Sequence, residues 1–224
     1  MTSSRDPFPA VSILAFSLIV PPTASAQAAG VDPAAPTAPA SGATVEKGFV
    51  RPPSTAWTVL AGGAEPVSIA HSLNDRSFAL LAVVWHRVMT RPRGPSVLRG
   101  QLEVAVELVP VLVVGQRATT YGYGFSPIFF RWSMRKRGVV APFAEILGGA
   151  LRTDHEVPEG VSRFNFTAQS GLGLQLPLAG RRSLVFGYRL HHISNGGLGP
   201  RSPSLNSNVV YGGLTLWRQS SSAP

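Results

Sequence analysis

Cysteine is absent from the 224-residue chain, so neither disulfides nor thiolate metal sites can hold its fold together. Lysine is nearly absent too. It occurs only as Lys47 and Lys136, so arginine carries almost all of the positive charge behind a formal net charge of +9. An arginine-rich surface suits phosphorylated lipid headgroups, because the guanidinium fork matches phosphate bidentately; biased codon usage in a GC-rich genome is the plainer reading of the same excess. Beyond residue 26 no apolar run approaches the ~20 residues of a membrane helix. No glycine-rich loop opens a helix, which leaves a nucleotide site without support. No basic helix is apparent, which together with export argues against nucleic acid as a partner.

Export is read from the first residues. Arg5 precedes an apolar stretch at 11–20, Pro21 and Pro22 break it, and Ala24-Ser25-Ala26 supplies the small residues of a cleavage site. Residues 1–26 are therefore expected to be a signal peptide, with the mature chain starting at Gln27. Residues 27–48 are rich in Ala and Pro without periodicity and read as a disordered lead-in. The segment 49–218 remains as one domain of roughly 170 residues, and 219–224 read as a polar tail.

Within that domain the apolar residues fall into segments of about ten, rich in Val, Leu and aromatics and separated by Gly, Pro, Asn and Arg clusters. Eight such segments are expected, at 55–63, 77–88, 98–109, 121–133, 139–151, 164–176, 183–194 and 208–217. Alternation within them sorts two rows. Leu184, Phe186, Tyr188 and Leu190 form an apolar face opposite Arg189 and His191, and Leu102, Val104, Val106 and Leu108 oppose Gln101, Glu103 and Glu107. Apolar rows outside and charged rows inside describe an all-β fold: an eight-stranded antiparallel up-and-down transmembrane β-barrel, filled by side chains. Trp57, Trp85, Trp132 and Trp217 lie near segment ends, as an interfacial girdle requires. A soluble barrel explains the same strand count, but not the outward apolar rows.

The run His191-His192-Ile193-Ser194-Asn195-Gly196-Gly197 closes the seventh segment. Strand parity puts His192 and Ser194 on one face with Cα atoms about 7 Å apart, within reach of an imidazole for a hydroxyl, and sends His191 to the other face. Adjacent histidines on opposite faces cannot share a metal ion, so no metal site is expected. His191 is expected to pair inside with an acid such as Glu103, Glu107 or Glu145. Taken alone, His192 and Ser194 read first as polar side chains at a strand end. His71 and His86 read as structural, and Asp154-His155-Glu156 as solvated loop polarity. Arg131, Arg135, Lys136 and Arg137 read as a basic connection on the periplasmic side.

The segment 186–217 resembles the lipid A 3-O-deacylase (PagL-like, acyloxyacyl hydrolase) family of outer-membrane barrels. The resemblance rests on His192-x-Ser194-Asn195-x-x-Leu198 followed by a Pro/Ser/Asn loop and a closing strand, with weaker support from Leu98-Arg99-Gly100, Pro142-Phe143 and Phe164-Asn165-Phe166. It implies a serine esterase that removes a 3-hydroxyacyl chain from lipid A of lipopolysaccharide, in the outer membrane, without a cofactor. Carried over by position, Ser194 is the nucleophile, His192 the base, and Asn195 with backbone N–H groups near Gly196 the oxyanion or substrate contacts. The family's orienting glutamate falls twelve residues after the serine. Asn206 stands there, so the resemblance carries two expectations: an esterase with an amide as its third member, or a non-catalytic lipid-binding or structural barrel with a degenerate site. Homodimerisation is left open.

Overall fold

The computed structural model describes residues 46–68, 76–198 and 203–218. The expected signal peptide, residues 27–45 of the lead-in, His71 and the 219–224 tail lie outside them. Eight antiparallel strands follow one another: β1 (Thr55–Pro66), β2 (Ser77–Val88), β3 (Gly100–Gly115), β4 (Thr120–Met134), β5 (Ala141–Thr153), β6 (Phe164–Pro177), β7 (Arg182–Ser194) and β8 (Leu205–Arg218). Each pairs with its neighbour in sequence, and β8 returns to β1, closing the barrel expected from the sequence. Closure removes every free strand edge.

The strands run longer than their sequence segments where proline intervenes. The expected third segment stops before Pro110, since proline cannot donate to a ladder, whereas the expected fourth runs through Pro127. Both prolines sit at register shifts, between Val109 and Leu112 in β3 and between Phe125 and Ile128 in β4, where a bulge absorbs the missing donor. β8 also starts three residues earlier than expected, which brings Asn206 into the sheet.

The interior inverts the pattern of a soluble protein. Glu145 is buried and accepts from Arg131 Nη2 at 2.8 Å, Arg189 Nε at 2.7 Å and the Tyr211 hydroxyl at 2.6 Å. Arg189 Nη1 also reaches Glu107 at 2.7 Å. The guanidinium of Arg131 lies 4.2 Å from the Phe143 ring centroid and that of Arg189 4.6 Å from Tyr211, so each cation meets a carboxylate and an aromatic face. Tyr211 fits because Gly187 has no side chain; a Cβ there would lie 2.2 Å from its ring. Towards one end Thr58, His86 and Glu103 continue the polar filling, and towards the other an apolar plug forms from Phe78, Leu112, Leu151, Ile193 and Leu205. Outside, side chains such as Phe125, Ile146, Leu172 and Val210 are exposed, a wall of a kind that lipid covers.

Three sequence expectations change here. Arg131 belongs to the central ion cluster and not to the basic connection. His191 does point inward, but Arg189 has taken Glu107 and Glu145, and His191 packs edge-on against Phe78 at 5.4 Å. Neither of its ring nitrogens has a hydrogen-bond partner among the described residues. Trp57, Trp85 and Trp132 face outward at the end where β1 begins, whereas Trp217 shares the inward parity of Tyr211 and Thr215 and lines the barrel mouth at that end.

Chain preceding β1 is tied under the same mouth. Glu46 accepts from Arg99 at 2.9 and 3.0 Å and pairs with Arg135, while Val50 and Gln101 exchange hydrogen bonds at 3.0 and 2.7 Å.

Replacing Arg189 by Met leaves buried Glu107 and Glu145 short of a partner and is expected to cost about 3–5 kcal/mol, read as a lowered urea midpoint by tryptophan fluorescence. The hydrogen bond from Arg99, helped by the charges of Arg99 and Arg135 and opposed by partial burial, holds the Glu46 carboxyl below its ordinary value. A lowered folded-state pKa gives stabilisation that is complete above the unfolded value of about 4.3 and is lost as pH falls through the lower folded value. Hydrogen-exchange protection at Val50 is therefore expected to fall on acidification below about pH 4, and Glu46→Gln to lower it already at neutral pH.

Candidate active site on the outer wall

The far end of β7 is where the alternation of the strand places chemistry on the outer surface. Arg189, His191 and Ile193 are buried inside, so Leu190, His192 and Ser194 alternate to the outside, where all three are half-buried. Across the β7–β8 ladder His192 lies opposite Asn206, and across the β6–β7 ladder it lies opposite Ala168. A slip of one residue would send Asn206 to the interior.

This register gives the site its central contact. His192 Nδ1 and Asn206 Oδ1 are 2.7 Å apart. Because an amide oxygen can only accept, the imidazole nitrogen donates, and the Nδ1–H tautomer leaves the Nε2 lone pair as the basic atom. Asn206 is only 7% exposed, and its backbone carbonyl accepts from Val67 N at 2.9 Å, which ties the start of β8 to the segment following β1. No hydrogen bond joins Ser194 Oγ to His192; contacts of this kind between a hydroxyl and a base are often long before a ligand binds.

Beyond Ser194 the chain turns sharply. Asn195 is 1% exposed and its side-chain oxygen accepts from Gly197 N at 3.1 Å, while Leu198 N returns to the Asn195 carbonyl at 3.2 Å. Gly196 and Gly197 have φ of 64° and 79°, the left-handed region that glycine enters without penalty. Asn195 thus orders the turn that carries the Gly196 N–H past the serine.

Two neighbours escape sequence reasoning. Phe166 lies directly across from Ser194, with its ring against Gly196 and edge-on to Phe164 at 5.3 Å, forming an aromatic wall beside the hydroxyl. Below His192 the outer wall is hollowed. Small Ala144, Ser170 and Gly171 lie among Phe130, Ile146, Leu172, Tyr188 and Leu190, giving a largely apolar groove of about 620 Å³. Its Ser170 and Leu190 sit one outward position below Ala168 and His192. Alternation puts these residues on the outer face except Gly171, which has the inward parity of Glu145 and Arg189, and only the strand register brings them together.

The carboxylates that could have replaced the missing acid are engaged elsewhere. Glu145 is inside the barrel, Asp154 accepts from Tyr121 N, Glu156 from Gly160 N, and Glu159 from Arg117 N. The third group at His192 is Asn206.

The model of the lipid A 3-O-deacylase (PagL) family matches residues 86–215, from β2 to β8 and including every site residue above. Among solved structures, the crystal structure of the outer membrane enzyme PagL aligns with a TM-score of 0.54 at 18% identity, covering 70% of this chain and 97% of that one. The outer membrane protein OprG from Pseudomonas aeruginosa aligns at 0.47 and 9% identity, covering 75% and 97%, and AlkL, solved in DMPC bilayers, at 0.45 and 12%, covering 84% and 99%. No curated protein matches the sequence.

If Asn206 selects the tautomer, ¹⁵N spectra of the folded protein should show His192 protonated at Nδ1 when neutral. Asn206→Leu should move it towards the Nε2–H form that free neutral imidazole favours.

Proposed function

The chain belongs to the lipid A 3-O-deacylase family of outer-membrane β-barrels, and from that premise we propose that it is a serine esterase removing a 3-hydroxyacyl chain from lipid A. The observation that carries this reading is the His192–Asn206 hydrogen bond, which sets the tautomer a general base needs on the same outward row as a serine. The site opens sideways, so a lipid can present its ester while its chains stay in the bilayer.

In the proposed reaction His192 Nε2 takes the Ser194 proton as Oγ attacks the acyl carbonyl. The Gly196 N–H stabilises the tetrahedral oxyanion, while Asn195, buried beneath the turn, orders the loop that carries it instead of contacting the oxyanion itself. Collapse breaks the ester C–O bond, and His192 returns the proton to the departing sugar alkoxide, leaving an acyl-serine. Water then attacks with His192 again as base, releasing the 3-hydroxy fatty acid and restoring Ser194. The groove below His192 receives the acyl chain, and Phe166 shields the ester from bulk water.

Asn206 holds the imidazole but brings no full negative charge to the imidazolium that forms. Removing that charge from a triad costs as much as ~10⁴ in rate, so this esterase is expected to be slow. The neutral residue also favours a second reading, in which the barrel binds lipid without turning it over.

Lipid A from a Gram-negative host expressing the chain should show loss of one 3-hydroxyacyl chain by mass spectrometry, and Ser194→Ala should abolish it. Asn206→Glu should raise the rate by about ten-fold or more, within the range of the triad effect. Identical spectra from the wild-type and Ser194→Ala chains would instead establish the non-catalytic barrel.

A further inference from the structure

Charge is divided unequally between the two ends of the barrel. At the end where β1 begins and β8 finishes, every connection is basic: Arg91 and Arg93 between β2 and β3, Arg135 and Lys136 between β4 and β5, and Arg181 between β6 and β7, with Arg182 opening β7. Among the described residues Glu46 is the only carboxylate on that surface, and it is already shared by Arg99 and Arg135. The far end, where Ser194 lies, balances its arginines with Glu65, Asp154, Glu156 and Glu159.

A second, independent feature marks the level at which this basic rim sits. Trp57 and Trp85 are directly paired across β1 and β2, and Trp132 lies two residues before the end of β4; all three face outward. Indole rings on the outer wall of a barrel settle at the boundary between hydrocarbon and headgroups. Connections that begin a few residues beyond them therefore lie at the depth of the lipid phosphates. Guanidinium groups there meet phosphate with both charge and a matching donor fork.

We infer that this rim is a docking collar for anionic phospholipid headgroups in the leaflet opposite the Ser194 site. The choice of phospholipid rests on the reading above that Ser194 addresses lipid A, because lipid A occupies one leaflet of the outer membrane and phospholipid the other. The collar anchors the barrel at a fixed depth, with the Trp rings below the phosphates and the arginines among them.

The full mature chain, refolded into nanodiscs of equal parts phosphatidylglycerol and phosphatidylcholine, is extracted gently and its retained lipids are counted by native mass spectrometry. Phosphatidylglycerol should be enriched several-fold. A collar variant, Arg91→Gln with Arg93→Gln, Arg181→Gln and Arg182→Gln, should lose the enrichment. A far-end control, Arg117→Gln with Arg152→Gln and Arg163→Gln, should keep it. Heat-modifiable gel migration confirms barrel closure in each variant. Should the collar variant fail to close, loss of wild-type enrichment at about 0.5 M salt, where screening is short-ranged, replaces it as the supporting result, and enrichment that survives such salt overturns the collar. Equal retention of both lipids, or unchanged enrichment in the collar variant, overturns it as well. So does displacement by inorganic phosphate, which would mark a free-anion site. Retention is read without turnover, so its failure leaves the esterase reading standing and the reverse also holds.

Discussion

The hydrogen-bonded charge cluster around Glu145 is the constraint on which the rest of the barrel depends. A carboxylate inside a membrane barrel is costly unless its charge is met, and here two guanidinium groups and a phenol meet it. Arg189 is bound twice, to Glu145 and to Glu107, so β7 cannot rotate or slip without stranding buried charge. That fixed parity reaches the surface. With Arg189 and His191 held inside, His192 and Ser194 have no face left but the outer one, and the ladder to β8 then presents Asn206 to the imidazole. A residue three positions away and on the opposite face thus determines where the reactive row points.

Most of this architecture is legible in the sequence because membrane barrels obey a simple period. Rows such as Leu184 to Leu190 against Arg189 and His191 declare their faces, and turn residues separate all eight strands. The same period puts His192 and Ser194 on one face, whereas Asn206 enters only through the family resemblance. Legibility fails where a local rule meets a tertiary exception. Pro110 suggests a strand end, but a bulge lets the ladder pass it. Arg131 sits in a run of basic residues whose other members lie in a connection, and only strand length shows that it is inside. His191 is expected to pair with an acid, yet competition with Arg189 for the same carboxylates is set only by the folded barrel. Trp217 resembles the other terminal tryptophans until the parity of β8 turns it inward.

The candidate site combines a sharply defined orientation with a soft electrostatic one. Asn206 fixes which imidazole nitrogen carries the proton, and the Asn195 turn fixes where the Gly196 N–H lies. Neither group supplies net charge. Positioning and charge stabilisation, which a carboxylate would provide together, are therefore separated in this chain, and only the first is built in. Sequence shows the identity of that substitution; the 2.7 Å contact shows that the neutral residue still occupies the position and keeps the orientation.

An outward-facing row on a filled barrel also changes the meaning of concentration. The apolar plug of Phe78, Leu112, Ile193 and Leu205 closes the interior beneath the far end, so molecules reach His192 and Ser194 along the bilayer and leave the same way. For the proposed esterase, encounter is then a two-dimensional event. It would be governed by lateral diffusion and by the surface density of lipid in one leaflet, and a product that stays in that leaflet would compete with fresh substrate for the same stretch of wall until it drifts clear.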